Sequence, residues 1–418
     1  MRKILIIGAG QSGLQLGLGL LAQGYQVTLI SARTPEEIRE GWVLSSQVMF
    51  HPALEIERRH GLNLWDDQAP HIRGLRACLS APPGELALAA FCPLDDPAQS
   101  TDQRIKMAAW LELFEERGGI LRYQPVTPAE LDSLSRTGGY DLTIVAAGRG
   151  DLAGLFERDP ARSLHRDPQR ALALAYVNGF AADPEHPQPH VGLNAVPGIG
   201  ELFVIPALTV GGPGDILFWE AVPGGPLDLW QDRPDPAEHL RLTLEAARRY
   251  TPWVYERCND VELTDPHAVL SGRFPPTVRR PVAELPSGGL ALGLADVVVA
   301  NDPIAGQGSN TAARCADGYL AAIVDRGAAP FDRAWMEQTF ETFWASSGAA
   351  ATNWSNALLG PLPEHVGAAL GAASVNPAVA RRFGNGFANP SDYADWLLDP
   401  EKTRSYLASV GPTVAAAA

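Results

Sequence analysis

Six residues near the start of the chain, Gly8-Ala9-Gly10-Gln11-Ser12-Gly13, restrict its fold more than any other stretch. They follow the apolar run KILII (residues 3–7) and lead into Leu14, Leu16, Leu18, Leu20 and Leu21, a helix that Gly24 ends. Residues 25–30, YQVTLI, then read as a second strand. Strand, glycine turn, helix and strand make one βαβ unit of the dinucleotide-binding type. Gly8 permits the turn, Gly10 lets a diphosphate approach the backbone, and Gly13 lets helix and strand pack closely, with Gln11 and Ser12 in the helix's first turn. The fold class this implies is α/β with a parallel, Rossmann-like sheet. An acidic residue for the ribose is missing after the second strand, where Ser31-Ala32-Arg33 stands instead. Ser31 can bond a ribose hydroxyl and Arg33 can lie against adenine or phosphate, but these residue types leave NAD and FAD both open.

Bulk properties narrow the class. A chain of 418 residues, 46% hydrophobic, is too long for one ordinary core. Its formal net charge of −15 argues against a nucleic-acid partner, which needs concentrated Lys and Arg. Four cysteines, at 78, 92, 258 and 315, form no C-x-x-C pair, and nine histidines lack ligand spacing, so neither a metal site nor a disulfide framework is expected. A reducing, cytoplasmic location fits. Glycines interrupt the apolar start against a signal peptide, and no apolar run reaches the roughly 18–20 residues of a membrane span.

A second stretch decides between the nucleotides. In Gly293-Leu294-Ala295-Asp296-Val297 an aspartate at a strand end can accept from a ribityl or sugar hydroxyl. Asp302-Pro303-Ile304-Ala305-Gly306-Gln307-Gly308-Ser309-Asn310 then enters a helix whose first amides can face the pyrimidine end of a flavin. Pro303, Gly306, Gln307 and Asn310 are therefore candidates for the flavin face, and FAD is the expected cofactor. The domain reading that follows is discontinuous: an FAD-binding domain at 1–169 and 282–330 with a pocket-lining segment at 41–98, an antiparallel substrate domain at 170–281 with a helix near 237–250, and a C-terminal helical region at 331–418 whose last alanines fray. In VLSSQVMFH (43–51) apolar and polar residues alternate as in a strand, which would turn Ser45, Gln47 and Met49 to one side.

Together GAGQSGLQLGLGL, TDQRIKMAAWLELFEERGG and GLADVVVANDPIAGQGSN resemble the flavoprotein aromatic monooxygenases, above all the two-component styrene and indole monooxygenases. The resemblance extends to about Leu359 and includes NWSNALL from Asn353. It implies a glutathione-reductase-like FAD domain. It also implies an oxygenase that receives reduced FAD from a separate NADH-dependent flavin reductase, reacts with O2 through a flavin hydroperoxide, and epoxidises the alkene of a small aromatic substrate. By the same resemblance Gly8, Gly10, Gly13, Arg104 and Asp296 hold FAD, with Arg104 on the diphosphate, while Pro303, Gly306, Gln307 and Gly308 frame the isoalloxazine.

Two departures matter. The acidic-glycine signature of single-component hydroxylases is degenerate in Ala147-Gly148-Arg149-Gly150-Asp151, which weighs against a self-sufficient NAD(P)H-dependent hydroxylase. Phe218-Trp219-Glu220-Ala221-Val222-Pro223 does not satisfy the halogenase pattern W-x-W-x-I-P. For the substrate, styrene-type members carry Asn, Val and His where this chain has Ser45, Gln47 and Met49, the indole-type set. Ile72, Leu75 and Ala98, in place of Tyr, His and Ser, agree. The resemblance thus implies attack on the C2–C3 bond of indole, with Ser45 or Gln47 bonding the indole N–H. A styrene-type epoxidase is the alternative, and a flavin-binding carrier the non-enzyme one.

Overall fold

The computed structural model describes residues 2–411, so the alanine tail expected to fray lies outside the described residues. Two sheets organise it. The first runs in the order β14 (Val282–Glu284), β15 (Leu290–Gly293), β6 (Leu142–Val145), β1 (Lys3–Ile7), β2 (Gln26–Ser31), β5 (Ile120–Tyr123). All neighbours are parallel except β14 with β15. Residues 4–7 and 142–145 are buried throughout, as strands covered on both faces must be.

The second sheet runs in the order β11 (Glu262–Leu263), β7 (Ala171–Asn178), β10 (Gly212–Ala221), β9 (Gly200–Thr209), β8 (Val191–Val196), β3 (Ile72–Ser80), β4 (Leu86–Ala98), with β12 (Val269–Gly272) also on β7. A short ribbon pairs β13 (Thr277–Val278) with β16 (Val299–Ala300). Here the expected organisation changes. Strands β3 and β4, placed by the sequence reading with the nucleotide domain, belong to the second sheet, because β3 pairs in parallel with β8 more than a hundred residues later. Local pattern carries no sign of a pairing that distant.

The strand expected across residues 43–51 is also absent. Residues 42–50 are irregular apart from one bridge between Met49 and Gln99. At the end of the segment Asn310 accepts the Phe50 N–H at 2.8 Å and donates to the Val48 carbonyl at 2.7 Å, occupying backbone groups that a second neighbouring strand would need.

Five helices matter for the site: α1 (Gln11–Ala22), α2 (His51–Arg59), α3 (Gln103–Glu116), α4 (Pro236–Tyr250) and α5 (Gly308–Arg326). α4 covers one face of the second sheet, and the helices from Ala349 onward cover the other, while the helix Arg333–Phe343 packs into the first sheet's core. The centre of that second layer is Trp354, buried, with its ring 4.1 Å from Tyr393 and 5.5 Å from Phe387. The C-terminal helices thus share one apolar cluster with Ile72, Leu75 and Phe218 of the sheet. Trp354→Ala is expected to cost about 3–5 kcal/mol, the usual penalty for emptying so large a buried volume. Urea denaturation followed by circular dichroism measures it, with one transition rather than a separate melting of the tail.

Candidate active site

The site forms where β1, β6 and β15 end, the edge at which open α/β sheets bind ligands. Gly8 has φ +118°, and a Cβ there would lie 2.8 Å from the backbone of Ala146. A Cβ on Gly13 would come within 2.1 Å of the Gly8 carbonyl, so this glycine serves helix–strand contact. At Gly10, by contrast, a Cβ would meet nothing within 4 Å. Gly10 therefore borders open space, where a ligand's diphosphate can approach.

α1 and α5 lie side by side and parallel. Gln15 Nε2 donates to the Ala313 carbonyl at 2.8 Å, Gly19 abuts Leu320, and Tyr25 Oη donates to the Ile323 carbonyl at 3.2 Å. The register brings both N-termini to the same cleft. Neither carries a side-chain cap or an acidic residue in its first turn. Two such ends present free N–H groups and positive dipoles, a fit for the diphosphate at one and the electron-rich pyrimidine edge of a flavin at the other. Gly306, at φ +62°, turns the chain out of the short Pro303–Ala305 helix into α5. Gly308 again faces open space.

Asp296 sits at the same edge, beside the end of β6, where a Cβ on Gly148 would touch its own Cβ at 2.6 Å. The preceding Ala295 is held at φ +50°, a strained conformation for a residue with a side chain. Asp296 is exposed to solvent, with protein packed around it. Loss of surrounding water pushes its carboxyl up to about 6, against the pull of Arg149 and Arg279.

Other expected contacts fall elsewhere. Arg104 is buried and does not point a free guanidinium at the glycine loop. Its Nε and Nη2 donate to Asp102 at 3.0 and 2.8 Å, Nη1 and Nη2 to Asp265 at 2.9 Å each, and Nη1 to the Gly41 carbonyl at 3.3 Å. All five donors are engaged, so Arg104 clamps α3 to the turn before β12 instead. Ser31 is buried, and its hydroxyl is spent on its own turn, donating to the Arg33 carbonyl at 2.6 Å. Arg33 is exposed, with no partner for its guanidinium among the described residues. Gln307 is buried and donates to the Ala305 and Phe387 carbonyls, which turns it toward the C-terminal helices. Asn310, with its third bond to the Gly306 carbonyl at 2.8 Å, has both amide hydrogens engaged and braces the loop against residues 48–50.

The first turn of α1 holds what sequence reasoning missed. Lys106 and Glu57, both buried, pair at 2.5 Å, and the same Glu57 oxygen accepts from Gln11 Nε2 at 2.8 Å. Gln11 also donates to Gln15, which continues the chain to Ala313. The available signal was a lysine inside the buried stripe of α3, next to Met107 and Ala108. Ser12 is buried in the same turn.

In the pocket segment, Ile72 pairs with Ala98 across β3 and β4, and both join Leu75 and Tyr176 in one apolar cluster. Tyr176 Oη donates to the Ser45 carbonyl at 2.9 Å, Ser45 Oγ donates to Gln47 Oε1 at 2.9 Å, and Gln47 Nε2 donates to the Thr101 carbonyl at 2.5 Å. Met49 stands apart, packed with Ala53, Leu54 and Ala313. The expected single face of Ser45, Gln47 and Met49 is therefore split, since the segment is irregular where a strand was foreseen.

A family model described as "Styrene monooxygenase A putative substrate binding domain" matches residues 148–257. The chain is similar to styrene monooxygenase StyA of Pseudomonas fluorescens, 30% identical over 99% of this chain and 100% of that protein. Its fold is similar to a flavoprotein/dehydrogenase from Cytophaga hutchinsonii (TM-score 0.67, 11% identity, 98% of each chain). It is also similar to the p-nitrophenol 4-monooxygenase PnpA of Pseudomonas putida DLL-E4 (TM-score 0.63, 14% identity, 94% of this chain and 98% of that one). Among the described residues no helix is long and apolar enough to cross a membrane.

The two inner glycines separate binding from folding. Gly10→Ala is expected to leave thermal stability unchanged while weakening FAD binding, and Gly13→Ala to lose about 1–3 kcal/mol of stability, as an overpacked backbone contact does. Thermal melts alongside flavin-fluorescence titration read both.

Proposed function

The chain belongs to the styrene monooxygenase family of two-component, flavin-dependent aromatic monooxygenases, and from that premise we propose that it epoxidises the side-chain alkene of styrene. One atom of O2 enters the substrate and the other leaves as water, with both electrons supplied by reduced FAD from a separate NADH-dependent flavin reductase. The observation that carries this reading is full-length similarity to a styrene monooxygenase, joined to one cleft that gathers the glycine loop, Asp296 and the 303–308 turn. When bound, the flavin supplies the oxygen activation. Gly8, Gly10 and Gly13 with the start of α1 would hold its diphosphate, Asp296 a ribityl hydroxyl, and Pro303, Gly306 and Gly308 its ring. Arg33 remains available to the adenine end.

The pocket wall favours an apolar substrate. Ile72, Leu75 and Ala98 offer no polar atom, and the polar groups of Ser45 and Gln47 are taken by Tyr176, Thr101 and each other. The Ser45 hydroxyl oxygen keeps lone pairs that can accept an indole N–H, the contact the sequence reading had relied on, but its own hydrogen is already committed to Gln47. Such a wall also keeps water from the reacting oxygen. Indole remains the second reading, favoured by the identities Ser45, Gln47, Met49, Ile72, Leu75 and Ala98 themselves.

Initial rates on styrene and indole, each with and without an added reductase, test both readings. Turnover on either substrate should require the reductase, and styrene should be the faster. A kcat/KM for indole above that for styrene would transfer the assignment to the second reading, and NADH-driven turnover without reductase would overturn the two-component assignment.

A further inference from the structure

Glu220, in the 218–223 stretch that fails the halogenase pattern, has no part in the function proposed above. It stands on β10, where Ile216 and Phe218 point into the apolar cluster that also contains Ile304 and Ala305. By alternation Glu220 continues that row toward the 302–306 turn. It is 0% exposed, and among the described residues no N–H or hydroxyl donates to either of its oxygens. The nearby cation, Arg170, is engaged with Glu201 at 2.8 and 2.9 Å. What the Glu220 carboxyl meets is the carboxyl of Asp302, also buried, whose Oδ1 accepts the Ile304 N–H at 3.2 Å.

A buried carboxylate without a donor is heavily penalised, and two touching carboxylates cannot both be ionised. One proton between them removes both difficulties. We propose that Glu220 is a protonated acid donating to Asp302, and that this shared proton pins the 302–306 turn, and so the start of α5, onto the second sheet. Glu220 is then a positioning residue. Its relevance to the cofactor rests on the reading that this turn frames the flavin, while its protonation does not.

The charged groups around it are Asp302 from the turn, Glu201 from β9 and Arg170 just before β7. Burial raises the Glu220 carboxyl well above its ordinary range, Asp302 and Glu201 add to that, and Arg170 opposes it. The sign follows from linkage. An acid whose folded value exceeds its unfolded one, about 4.3 for Glu, lends stability that is complete below the unfolded value and lost as pH rises toward the folded one. Glu220→Gln keeps a donor for Asp302 and needs no proton. The variant should therefore match or exceed the wild type in melting temperature at neutral pH, with the gap widening as pH rises.

Infrared difference spectra of wild type minus Glu220→Gln at neutral pH should contain the carbonyl band of a protonated carboxylic acid. A melting temperature lowered by Glu220→Gln at neutral pH, or spectra without that band, would mean an ionised Glu220 and overturn the proposal. Glu220→Ala removes the pin, and its affinity for oxidised FAD should fall by about tenfold or more, which corresponds to about 1.4 kcal/mol, while Glu220→Gln binds as the wild type does. Unchanged affinity in a folded Glu220→Ala would overturn the pinning role even with the band present. If Glu220→Ala does not fold, the glutamine variant alone decides, through its band, its melting profile and its FAD affinity.

Discussion

The cleft depends on one contact: two helices nearly three hundred residues apart in sequence, α1 and α5, packed in parallel. Gly19 lets Leu320 approach, and Gln15 reaches across to the Ala313 carbonyl. Because the first sheet is parallel, both helices begin at the same edge, and their uncapped N-termini share one cleft. A dinucleotide long enough to need two anchoring points is what such a pair of positive ends accommodates.

A second set of contacts ties loops and helices together around that cleft. Asn310 grips residues 48–50 with one side chain. Arg104 grips Asp265. Lys106, Glu57 and Gln11 join three helices beside the glycine loop. These are buried, charge-assisted or fully satisfied groups, and their value lies in geometry: removing one partner strands another, so the arrangement tolerates little drift. A flavin-dependent monooxygenation, which must hold substrate against the cofactor while keeping water out, needs that rigidity.

The local geometry around the glycine loop and the 303–308 turn was legible in the sequence because its signals are local. Glycine spacing, an apolar run and an aspartate at a strand end each follow from a handful of neighbouring residues, and the structure brings Gly8, Gly10, Gly13, Asp296, Gly306 and Gly308 to one edge. Legibility ended where a role depends on what lies across the fold. Arg104, Gln307 and Asn310 are polar residues in suggestive positions, but whether a guanidinium or amide faces a ligand is decided by Asp265, Phe387 and Val48, which no spacing rule connects to them. The alternation at 43–51 misled for the same reason, since whether the segment pairs as a strand depends on distant partners such as Gln99 and Asn310. The membership of β3 and β4 in the second sheet rests on a parallel pairing with β8 that local pattern does not encode.

The central claim, that the glycine loop and the 303–308 turn serve a single FAD, is tested most directly by a crystal structure of the FAD complex. The account requires the diphosphate within hydrogen-bonding distance of the first-turn amides of α1 and the isoalloxazine against residues 303–308, with Asp296 between them. Density for the isoalloxazine away from that turn, or for the diphosphate away from Gly10, would contradict it.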